Sequence, residues 1–164
     1  MTAYDSAQWS DFFVATAGAS AALAGLLFVA VSINLDRILG EAGLPDRALE
    51  TVLLLLTVVL VSVVGLVPGQ GSGALGAELL FVSVTIALVV LRLPTVGLAS
   101  FAPPRAWVWA RWGLRIAGTL PFVIGGAGVL LETGGGLYWV AAGIVFAIAG
   151  AVANAWVLLV EILR

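Results

Sequence analysis

Residues 12–35 read FFVATAGASAALAGLLFVAVSINL, and this stretch decides the fold. It holds no charged side chain, and Asp11 and Asp36 stand at its two limits. A helix needs about 20 mostly apolar residues to cross the hydrocarbon core of a bilayer, because each residue advances it by only about 1.5 Å. An uncharged run of this length reads as a membrane span. Four further stretches read the same way, at about 48–67, 72–92, 112–131 and 137–160. The second stops at the breaker pair Pro68-Gly69. Only short connections remain, so residues 1–164 are expected to form a single transmembrane domain. The fold class that follows is all-α, an integral membrane bundle of five transmembrane helices.

Composition agrees. Sixty-two per cent of the residues are apolar, 10 per cent are charged and the mean hydropathy is +1.19. A soluble domain carries about 25 per cent charged residues, so this chain cannot coat a water-soluble globule. Residues 1–11 hold Asp5 and Asp11 but no Lys or Arg, the reverse of the basic start of a signal peptide. The first apolar run is therefore expected to persist as a mature helix. Cys and His are both missing. Zinc and iron–sulfur sites thereby lose their usual ligands, and blue-copper and haem–His sites are excluded. Cysteine nucleophiles, Ser-His-Asp triads and His proton relays go with them. No catalytic residue, metal or cofactor is expected. A net charge of −2 gives no footprint for nucleic acid.

All seven basic residues are Arg, and every one can be placed on one side of the membrane. Arg37 and Arg47 flank the first connection; Arg92, Arg105, Arg111 and Arg115 lie in or beside the third; Arg164 ends the sequence. The N-terminal segment and the connections at 68–77 and 132–136 carry none. The positive-inside rule then predicts the N-terminus out and the C-terminus in. Aromatic residues fit that orientation. Tyr4, Trp9, Tyr138 and Trp139 would form the outer interfacial belt, and Trp107, Trp109 and Trp112 the inner one.

The first span is also the most informative about function. Ala15, Gly18, Ala22, Gly25, Val29 and Ser32 recur at steps of three and four and make one face of small side chains, which ends at Asp36. Small residues let membrane helices approach closely, where no hydrophobic drive holds them together. Two arrangements use such a face. One is packing within the chain. The other is self-association of several first helices, where the face lines a narrow, weakly polar axis with a ring of Asp36 at its inner mouth.

Other polar features are few. Asn154 lies within the fifth span, and its amide needs a partner helix or a hydrated cavity. Pro121 predicts a kink in the fourth span, beside the cluster Gly125, Gly126 and Gly128. No Asp, Glu or Arg stands at the middle of a span, which argues against a proton-coupled transporter, a voltage sensor or an aspartate-pair protease. The connection from Asp36 to Glu50 gathers Asp36, Glu41, Asp46 and Glu50 with Arg37 and Arg47. Without an EF-hand pattern it reads as a solvated charged loop, with Pro45-Asp46 as a helix start.

Several segments carry a family resemblance. They are Trp9 to Phe13, Gly18 to Ser32, Leu44 to Glu50, Gly65 to Gln70 and Asn154 to Glu161. Together they resemble a family of small, mostly uncharacterised bacterial multi-span membrane proteins, some of them labelled "modulator of FtsH protease". The resemblance implies a place in the bacterial cytoplasmic membrane and a membrane protein as partner. The leading expectation is a non-enzymatic, homo-oligomeric, channel-like protein with its first helix at the centre. The alternative is a regulatory partner of another membrane complex, such as a membrane-anchored protease.

Overall fold

A computed structural model describes residues 3–41, 43–93 and 105–162. Regular structure among the described residues is entirely helical: α1 (Ser10–Ile33), α2 (Leu35–Gly40), α3 (Leu44–Gly65), α4 (Ser72–Arg92), α5 (Arg105–Leu130) and α6 (Leu137–Ile162). All but α2 are long and apolar enough to cross a membrane. Their outer surface is apolar too, with Leu26, Ile33, Phe81 and Trp156 among the most exposed side chains. Such a surface suits hydrocarbon rather than water.

Local chemistry sets the helix limits. Asp5 caps the 3-10 turn that follows it, accepting hydrogen bonds from Ala7 N at 3.1 Å and Gln8 Nε2 at 3.0 Å. That turn, Ser6–Trp9, then leads into α1. Asn34 ends α1: its Nδ2 donates to Ala30 O at 2.9 Å, serving one carbonyl the helix end leaves over. The first span therefore stops at Ile33 rather than residue 35, and the chain turns into α2. Gly43, at φ 89°, then reverses the chain, and α3 begins with Pro45 in its first turn and Asp46 beside it. Pro suits that place because its missing N–H has no helical partner there. The second span thus starts earlier than residue 48, so that Arg47 and Glu50 are helical and buried. This corrects the expectation of a solvated charged loop reaching to Glu50. Pro121 sits inside α5, which stays α-helical on both sides of it.

α3 is the hub. It packs against α1, α4 and α6, while α5 packs between α4 and α6. Close crossings use glycine. The Phe13 ring of α1 covers Gly65 of α3, Gly76 of α4 faces the Leu130 backbone of α5, and Gly143 of α6 faces Phe122. Gly125 and Gly126, one residue apart, let α5 meet Val140 of α6 and Leu80 of α4 respectively. A Cβ at Gly65, Gly76, Gly125 or Gly126 would stand under 3.0 Å from its neighbour, and one at Gly143 3.1 Å from the Phe122 ring.

The five long helices alternate in direction and define two ends. One holds the 3-10 turn and the turns at 66–71 and 131–136; we call it the glycine end. The other holds α2, the start of α3, the close of α4 and the start of α5; we call it the arginine end. Trp9 stacks edge-on against Tyr138 at 4.9 Å on the glycine end, and Tyr4 OH accepts from Gly135 N nearby. Trp139 Nε1 donates to Gly134 O at 3.0 Å. Arg164 lies outside the described residues, as do the side chains of Arg105, Trp107 and Glu161.

Candidate functional site: the first helix and a buried ionic cluster

α1 is attached along one side only. Phe13, Ser20 and Leu27 are its buried residues, with Thr16 between them bonding Ser62 Oγ of α3 at 3.0 Å. Steps of three, four and seven place these residues on one helix face. The small-residue face is a different one. Ala15, Gly18, Ala22, Gly25, Val29, Ser32 and Asp36 are all exposed on the single chain. A Cβ added at Gly18 or Gly25 would meet nothing within 4 Å. The single chain thus leaves this face exposed. Within its most apolar window α1 is 11 per cent buried, against 56 per cent for α3, so it is an outrigger rather than a core helix.

The second feature lies near the arginine end and was not legible in the sequence. Glu50 of α3 is fully buried, and its Oε2 accepts from Arg115 Nη2 at 2.8 Å, Arg115 Nε at 3.1 Å and Arg111 Nη2 at 3.3 Å. Arg115, also fully buried, donates from Nη1 to Leu93 O at 2.9 Å just past α4. One carboxylate and one guanidinium therefore tie α3, α4 and α5 together. Arg47 is buried one turn before Glu50. Glu50 stands six residues into α3 and Arg115 four residues into the apolar part of α5, Arg111–Leu130, so neither lies at the middle of a span. What the sequence held was the pair Arg111 and Arg115 at i, i+4, which share a helix face. Their partner, 61 and 65 residues away, carries no local mark.

Chemically the cluster is a clamp. Among the described residues no group of three or more Asp or Glu is placed to hold a metal ion. Asn154 of α6 is 7 per cent exposed, and its Nδ2 finds no acceptor among the described residues. The glycine end carries an open polar depression of about 600 Å³ lined by Tyr4, Asp5, Ser6, Gln70, Ser72 and Glu132. Ser72 Oγ donates to Glu132 Oε1 there at 2.5 Å, and Gln70 Nε2 to Glu78 Oε2 at 2.6 Å.

Comparison of this chain with protein-family models, with curated proteins and with solved structures finds no match.

Proposed function

We propose that the protein is a non-enzymatic membrane protein of a bacterial cytoplasmic membrane that self-associates through α1 into a channel-like assembly. The face from Ala15 to Ser32 packs around the central axis, and Asp36 residues form a ring at the inner mouth. The N-terminus lies outside and the C-terminus inside, as the Arg distribution favours.

One observation supports this reading above others. Glycines at the helix crossings of this chain are filled against a neighbour, as Gly65, Gly76, Gly125, Gly126 and Gly143 are. Gly18 and Gly25 lie deep within a span and meet nothing. A glycine within a helix costs about 0.5–1 kcal/mol relative to alanine. Nothing in the single chain offsets that cost in α1, whereas close approach by a second α1 does. A face of small side chains turned to lipid also forgoes the contacts that Leu or Phe would make there.

The absence of Cys makes the test direct. Gly25→Cys and, as a control, Phe81→Cys on the exposed side of α4 are oxidised in native membranes. A disulfide needs Cα atoms within about 7 Å, so only a close α1–α1 crossing forms one. The expected result is a covalent dimer from Gly25→Cys alone, with lower ion flux into liposomes for Gly25→Leu. A monomer in mild detergent, with no cross-link from Gly25→Cys, would refute the reading. Stoichiometric copurification of a foreign membrane protein would favour the regulatory alternative instead.

A further inference from the structure

Glu50 Oε1, an acceptor, and Asn154 Nδ2, a donor, are buried near the arginine end and find no partner among the described residues. Their residues are 0 and 7 per cent exposed. The packing one turn away fixes how they relate. Leu54 of α3 lies between α5 and α6: a Cβ on Gly118 would stand 3.0 Å from its Cδ2, and one on Gly150 3.6 Å from its Cδ1. Leu114 of α5 closes the same junction, 3.4 Å from the Gly150 position. Four residues further toward the arginine end lie Glu50 on α3 and Asn154 on α6. Each step advances about 6 Å and keeps nearly the same helix face. α3 and α6 run in opposite directions, so both steps descend together. Glu50 and Asn154 therefore share one layer beneath Leu54, beside Arg111 and Arg115.

We infer that this layer is a water-binding site in which an internal water accepts from Asn154 Nδ2 and donates to Glu50 Oε1. Water suits the pair because it offers a donor and an acceptor at once, and buried waters typically serve two to four otherwise unpaired groups. An anion would face the Glu50 carboxylate, and a metal cation would face the guanidiniums. Water also completes the clamp. Arg111 and Arg115 occupy only Oε2 of Glu50, and the bridge through Oε1 adds α6 to the helices already held by the ion pair. The site is independent of any assembly through α1, whose contacts with α3, Phe13 on Gly65 and Thr16 on Ser62, lie toward the glycine end.

Two substitutions separate this site from a merely misplaced amide. Asn154→Ala leaves room for water to stay on Glu50 Oε1. Asn154→Leu fills that room and strands the carboxylate oxygen. The expected order of thermal midpoints in mild detergent is wild type, then Asn154→Ala, then Asn154→Leu, with steps of about 2–4 °C or more. When Glu50, Arg111 and Arg115 are replaced together by Leu, Met and Met, the order of the two Asn154 variants should invert. If Asn154 only faces apolar neighbours, Asn154→Leu is the more stable in the native background as well, and the proposal falls. Should neither variant fold, a wild-type density map at about 2 Å decides. A water within hydrogen-bond distance of both atoms upholds the site, and direct contact between them, or no density, overturns it.

Discussion

Replacing Glu50 by Leu should destabilise the protein more than removing the whole ionic cluster. Glu50 and Arg115 are fully buried, and three guanidinium contacts of 2.8–3.3 Å converge on one carboxylate oxygen. Removing the acid alone leaves two guanidiniums in the interior without it, a change that costs about 3–5 kcal/mol for buried pairs. Arg115 keeps its bond to Leu93 O, which places the expected loss at the lower part of that range. At about 2–4 °C per kcal/mol the midpoint falls by roughly 10 °C. Replacing Glu50 by Leu together with Arg111 and Arg115 by Met removes the desolvated charges and fills the space with apolar groups. Such replacements are often neutral or stabilising, so this variant should melt within a few degrees of the wild type and above the single Glu50→Leu variant. Thermal unfolding in mild detergent, followed by circular dichroism, reads both. A Glu50→Leu variant within two or three degrees of the wild type would refute the account. So would a triple variant whose loss equals the sum of the single losses, since the cluster would then not act as a unit.

The remaining predictions are simpler. Gly76→Ala drives a methyl group into the Leu130 backbone, so α4 and α5 must separate; a loss of about 1–3 kcal/mol is expected in the same unfolding assay. Gly18→Ala meets nothing within 4 Å, so the isolated chain should gain about 0.5–1 kcal/mol while association, read by detergent-corrected light scattering, weakens. Thr16→Val deletes the bond to Ser62 across α1 and α3 and should cost only about 0.6 kcal/mol, the usual worth of such a bond in a membrane. Cysteines placed at Ser6 and at Arg37 should label from opposite sides of intact cells with an impermeant maleimide, Ser6 from outside.

Physics explains which features could be read in advance. Span number follows from hydropathy because a backbone in lipid must satisfy its hydrogen bonds internally, so every long apolar run becomes a helix. The short-range signals held as well: Pro45-Asp46 opens α3, and Pro68-Gly69 follows its end. Errors came where a capping group acts locally, as Asn34 does in ending α1 early, and where residues meet from distant segments. Arg47 and Glu50 resemble loop residues because charge normally seeks water. Glu50 is buried because α5 brings two guanidiniums to meet its carboxylate.

The sequence by itself determined an all-helical chain with five membrane-crossing helices, the grouping of Arg toward one end and the small-residue face on α1, since each depends only on composition and on the 3.6-residue period. Tertiary structure alone decided that α3 is the hub, that Glu50, Arg111 and Arg115 form one buried cluster, and that the small face of α1 is left uncovered. Those outcomes depend on which helix faces meet. In so apolar a chain several faces of each helix can pack, and only the fit of glycines to neighbouring backbones and of one carboxylate to two guanidiniums selects among them.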